Sequence, residues 1–86
     1  MWHWYVYIIE CEDGSYYTGR TWNADLRWTQ HLSGFGSSYT HKHKPRQVAY
    51  LEEYESFDEA VRRERQIHGW TREKKEKLIH GEWGKW

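Results

Sequence analysis

Eighty-six residues, 37% of them hydrophobic, make one small domain near the lower size limit for a self-supporting core. Thirteen basic residues balance thirteen acidic ones, which argues against the broad basic surface of a tight non-specific DNA binder. The lone Cys11 cannot close an internal disulfide, and neither a signal peptide nor an apolar run of membrane-spanning length is visible, so a reducing cytoplasm is the expected setting.

Residues 2–11 read as a first strand. Trp2, Trp4, Val6 and Ile8 alternate with His3, Tyr5, Tyr7 and Ile9, and both sets are largely apolar, so the strand is expected at the centre of a sheet covered on both faces. A turn at Asp13-Gly14 leads into a second strand over residues 15–20. A two-residue turn pairs Tyr7 with Arg20 and sends Tyr7 and Tyr17 to opposite faces. A three-residue loop with a left-handed Gly14 pairs Tyr7 with Gly19 and Ile9 with Tyr17, so both tyrosines share a face.

Asn23 can cap a helix over residues 24–32. Ala24, Trp28 and Leu32 form its expected apolar stripe, with Arg27 and His31 one turn apart along the border and Leu26 outside. The stretch GFGSSYTHKHKPR, residues 34–46, is expected to be a mobile loop. Its Lys42, Lys44 and Arg46 suit phosphate contacts, and Tyr39 suits base stacking. His41 and His43 with Cys11 or His31 imitate a zinc set but lack its paired spacing.

A third strand spans 47–54, with an acidic end expected to reach solvent. Ser56 and Glu59 form a capping box for a helix running to about His68. Phe57, Ala60, Val61, Ile67 and His68 share an arc of that helix with Glu64 at its middle, while Arg62, Arg63 and Arg65 occupy the remainder. A carboxylate on a core-facing stripe costs several kcal/mol unless it is paired or holds a cation. Glu64 is therefore a candidate functional residue, with an ion pair to Arg27 or another cation as the alternative. The basic residues of 62–77 read equally as a positive groove or as solvated helix faces. Thr71 caps a last helix anchored by Leu78 and Ile79. The expected organisation is an α/β (α+β) domain over residues 1–80, a small antiparallel three-stranded sheet with about three helices. A tail over 81–86 carries Trp83 and Trp86.

The order of these residues resembles a GIY-YIG nuclease domain, particularly its small standalone members, from about Trp4 to Ile79. The first motif appears as Tyr5-Val6-Tyr7 and the second as Tyr17-Thr18-Gly19, followed by Arg27, His31 and Glu64 within VRRERQI. Tyr5 replaces the first motif's glycine and Thr18 the second's isoleucine; the late asparagine of other members is missing. The resemblance implies a metal-dependent endonuclease acting on DNA rather than RNA, with structured or branched DNA among its substrates. It also implies a single Mg²⁺ or Mn²⁺ held by Glu64. Tyr7 would take the proton from the attacking water, Tyr17 support it, Arg27 bind the scissile phosphate and His31 orient or relay. Arg20 stands as a second phosphate contact, and Tyr7 as a base requires the metal or Arg27 to lower its pKa from about 10. A partner protein could supply DNA targeting. The competing reading is a non-catalytic module, binding nucleic acid or protein, on the same fold.

Overall fold

In the computed structural model, which describes residues 3–81, three antiparallel strands form a sheet of order β2-β1-β3. These are β1 (Trp4–Cys11), β2 (Tyr16–Thr21) and β3 (Pro45–Tyr54). Four helices complete the domain: α1 (Ala24–Leu32), α2 (Ser38–Lys42), α3 (Phe57–His68) and α4 (Arg72–Ile79). The expectations for Trp2, Trp83 and Trp86 lie outside the described residues.

β1 is central, and its two side-chain sets enter two separate clusters. Val6 and Ile8 pack with Ala60, Ile67 and Leu78 from α3 and α4. Tyr7, Ile9 and Cys11 face the other way, against Tyr17, Trp28 and Tyr39. A strand covered on both faces has little room for polar residues, which explains its largely apolar composition, broken only by Glu10 near its end.

The hairpin adopts the longer turn. Cys11 N–H donates to the Ser15 carbonyl at 2.8 Å, and Gly14 holds φ at 85°, a conformation that favours glycine. Tyr7 consequently lies opposite Gly19 and Ile9 opposite Tyr17, with both tyrosines on one face. Thr18 falls on the opposite face, buried, and its hydroxyl has no hydrogen-bond partner among the described residues. Such a group costs about 1–3 kcal/mol.

Side-chain caps at Asn23, Ser37, Ser56 and Thr71 start the four helices, each accepting an orphan N–H of the first turn. Three expectations are corrected here. The stretch 34–46 is not an open loop: it contains α2, with Thr40 buried, and β3 begins at Pro45. In α1 the core-facing residue at the C-terminal end is His31, fully buried, whereas Leu32 is 55% exposed. On α3 the inward stripe is Ala60, Arg63 and Ile67, while Phe57 and His68 are exposed.

The inward arginine answers Glu52 at the acidic end of β3: Glu53 reaches solvent as expected, but Glu52 is buried. Arg63 and Glu52 form a buried pair with side chains 4% and 2% exposed. Arg63 Nε and Nη2 donate to the carboxylate at 3.0 and 2.9 Å; the hydroxyls of Tyr50 and Tyr54 donate to it as well. Burial alone would raise the Glu52 pKa, but the hydrogen bonds from Arg63 and the two tyrosines outweigh it and hold Glu52 below its ordinary range.

Candidate active site

A cleft of about 500 Å³ opens where β2, α1 and the start of α3 meet. Tyr7, Tyr17, Gly19, Arg20, Arg27 and Glu64 all line it. These residues come from both faces of the sheet, and Gly19 is what lets them meet. A Cβ at Gly19 would stand 2.6 Å from Tyr7 Cζ. Without one, the Tyr7 ring lies close over Gly19 and reaches the cleft that Arg20 and Glu64 also line.

Tyr7 Oη lies 2.9 Å from His31 Nε2, and Arg27 Nε donates to it at 3.4 Å. Arg27 and His31 occupy successive turns of α1, so one helix face delivers both groups to the phenol. Behind them, His31 Nδ1 is 2.7 Å from Thr40 Oγ1, which is 3.0 Å from Ser37 Oγ. Gly36 leaves room for that ring, since a Cβ there would stand 2.7 Å from His31 Cγ. His31 is thus enclosed behind Tyr7 rather than lining the cleft.

Burial, and secondarily the charge of Arg27, bring the His31 pKa down to about 4. The imidazole is neutral at pH 7. With one ring proton, it serves Thr40 and Tyr7 as donor at one nitrogen and acceptor at the other. If Thr40 spends its own proton on Ser37, Nδ1–H donates to Thr40 and Nε2 accepts from Tyr7. Burial raises the Tyr7 pKa; the hydrogen bond from Arg27 only partly opposes it. The lowering that a Tyr7 base would require does not come from Arg27, so Tyr7 is a phenol at neutral pH.

Glu64 enters from α3 with its side chain 15% exposed and accepts from Arg20 Nη1 at 2.6 Å. Its cation partner is Arg20, not Arg27. Among the described residues no group of three or more His, Cys, Asp or Glu is placed to hold a metal. Glu64 by itself fits Mg²⁺ or Mn²⁺, which use one or two carboxylates with waters and substrate phosphates. A cation there would compete with Arg20 for the Glu64 carboxylate.

The remaining residues expected to bind nucleic acid are not cleft-lining. Tyr39 packs its ring 5.6 Å from Tyr17 and stacks at 4.2 Å on His43. Lys42, Lys44 and Arg46 are exposed near the far end of β1, where the Lys44 carbonyl accepts from Glu12 N–H. Sequence reasoning missed Ser37, Thr40 and Gly36 behind His31; the Ser-x-x-Thr spacing was the available signal for Ser37 and Thr40. The cleft rim is apolar, with Trp4, Trp22, Leu26 and Phe57.

The sequence model of the GIY-YIG catalytic domain matches residues 3–77. The chain belongs to the GIY-YIG family. Its relatives there are UPF0213 proteins, a small standalone group. It is 43% identical over 75 residues to the UPF0213 protein of Staphylococcus aureus (strain Mu50), covering 87% of this chain and 92% of the relative. It is 41% identical, with the same coverage, to that of Staphylococcus saprophyticus. The solution NMR structure of the UPF0213 protein BH0048 from Bacillus halodurans superposes with a TM-score of 0.61. That protein is 40% identical, and the match covers 95% of this chain and 87% of that one.

Proposed function

We propose that this protein is a metal-dependent endonuclease that hydrolyses phosphodiester bonds, in DNA rather than RNA. The observation carrying the reading is the meeting of Tyr7, Tyr17, Arg27 and Glu64 in one cleft with His31 hydrogen-bonded behind Tyr7. Glu64 would hold a divalent ion, which when bound would supply positive charge to the reacting phosphate and lower the pKa of nearby water. Arg27 binds the scissile phosphate and offsets charge developing on its oxygens. Tyr7, a phenol held by His31 Nε2 and Arg27, positions the attacking water, and its lone pair receives the water's hydrogen bond. Tyr17, its ring 5.2 Å from that of His31 and 6.3 Å from that of Tyr7, walls the pair from solvent. Arg20 takes a second phosphate oxygen once it leaves Glu64. The lone, buried Cys11 suits a reducing cytoplasm, and the apolar rim suits unstacked bases of structured or branched DNA.

The Arg20–Glu64 pair favours a second reading, a binding module whose carboxylate is neutralised from within. Incubation with branched, single-stranded and duplex DNA and RNA, with Mn²⁺ or EDTA, separates the two. The nuclease reading expects Mn²⁺-dependent cleavage that Glu64→Gln abolishes while the fold is retained. Arg27→Ala should cost about 3 kcal/mol of transition-state stabilisation, roughly a hundredfold in rate. A wild type that cleaves nothing with any divalent ion, yet binds as well as Glu64→Gln, leaves only the module.

A further inference from the structure

A second cavity, of about 240 Å³, lies at the hairpin end of β2 and is lined by Ser15, Tyr16, Tyr39, Arg72 and Lys75. No carboxylate lines it. Arg72 is fixed at its wall by Glu76 Oε1 at 2.9 Å, by donation to the Gly14 carbonyl, and by the Tyr16 ring 5.1 Å away. Lys75, one turn along α4, is only 9% exposed. Among the described residues Lys75 makes no hydrogen bond or ion pair.

Lys75 is nine-tenths buried as a residue, and an ammonium emerging from so enclosed a position gains from an anion beside it. A helix that wanted only packing at this position has leucine or methionine available. The charge instead lines a cavity where a second cation is already held and hydroxyl-bearing residues complete the wall. Burial also lowers the Lys75 pKa, a cost that an incoming anion would relieve.

We propose that this cavity binds a backbone phosphate of the same nucleic-acid strand whose scissile phosphate lies in the cleft; the proposal rests on the nuclease reading. The two sites share the β2 side of the sheet. Gly19 lines the cleft and Ser15 the cavity, four residues or about 13 Å apart along the strand. That separation corresponds to about two to four nucleotides, depending on whether the strand is extended or stacked at about 3.4 Å per nucleotide. Between the sites lie the rings of Tyr17, which lines the cleft, and Tyr39, which lines the cavity. They offer aromatic surface to the intervening bases. Lys75 is thus a binding residue that sets the length of strand engaged, remote from the bond cleaved.

The test compares wild type with Lys75→Met, which keeps the aliphatic stem. Binding to single-stranded oligonucleotides of two and of ten nucleotides is read by fluorescence anisotropy in EDTA over a salt series. The ten-nucleotide strand should bind Lys75→Met about tenfold more weakly, with the salt slope reduced by about 0.7, the loss of one phosphate contact. The dinucleotide carries one internucleotide phosphate, which cannot occupy both sites at once, and should show no difference. Titration of wild type with inorganic phosphate should shift the Ser15 and Tyr16 amide resonances, an outcome that does not depend on the variant folding. Equal loss on both lengths, or no loss on either, overturns the proposal, as does phosphate that leaves these amides unmoved. Because no arm requires cleavage, failure of the nuclease reading would show separately as absent Mn²⁺-dependent activity.

Discussion

Arg63 and Glu64 are neighbours on α3, yet each belongs to an ion pair of a different kind. Arg63 turns into the core and is matched to Glu52, whose carboxylate also receives the Tyr50 and Tyr54 hydroxyls. Glu64 turns to the cleft and takes one donor, from an Arg20 side chain that is 36% exposed. The first carboxylate is saturated and sealed, so it can hold a fold together but cannot accept a ligand. The second takes a single donor from a partly exposed partner that can leave, which is what the proposed metal and phosphate site requires. Charge pairing by itself does not distinguish structure from function. Hydrogen-bond saturation and access do.

Breaking the buried pair should give the largest change in stability. Glu52→Gln or Arg63→Met should each cost about 3–5 kcal/mol in denaturant unfolding, because a buried partner is left uncompensated. If either costs under 1 kcal/mol, the pair does not hold the fold together.

Acid should next separate the sealed interior from the cleft. His31 titrates near 4 when folded against 6.5 ordinarily, so between these values the unfolded chain binds the proton that the folded chain refuses. Stability is complete above pH 6.5 and falls as the pH drops toward 4, by about 3 kcal/mol from this group. The depressed Glu52 pKa adds a further loss at still lower pH, as that carboxylate becomes protonated. Denaturant unfolding across pH 4–7 reads the slope, and His31→Gln should flatten it; an unchanged slope would mean that another group is responsible.

The cleft pair should respond differently. Glu64→Gln and Arg20→Ala should each change stability by less than about 1 kcal/mol, the range of a partly exposed pair. Arg20→Ala should tighten Mn²⁺ binding by a few-fold in calorimetry, since the internal competitor for Glu64 is removed; weaker binding would make Arg20 a support for the metal site instead.

The smallest effect is expected at Lys42, Lys44 and Arg46. Neutralising all three should leave stability within about 0.5 kcal/mol and flatten the salt dependence of nucleic-acid binding without altering cleavage chemistry. An unchanged salt slope would move the electrostatic surface to the helices.

Much of this architecture is legible in the chain. The two-faced apolar pattern of β1 marks a central strand, and the polar residues preceding the three longer helices mark their starts. The helical spacing of Arg27 and His31 delivers both to one phenol. The position of Glu64 against an apolar arc singles it out by helical periodicity alone. The turn leaves two registers open, and a left-handed Gly14 satisfies both the hairpin and the shared face of Tyr7 and Tyr17. What stays hidden has a common physical cause. Helical periodicity says which residues share a face but not how far the covering elements extend over it. The sequence can therefore group Phe57 with Ala60, yet only the packed fold shows Arg63 inside and Phe57 at the cleft rim. A five-residue helix is too short for periodicity to reveal, so α2 reads as loop, and with it the Thr40 support of His31 is lost. Lys75 reads as one cation among several on α4. Its burial follows from how α4 packs beside the hairpin, an arrangement of residues some sixty positions apart that local sequence cannot specify.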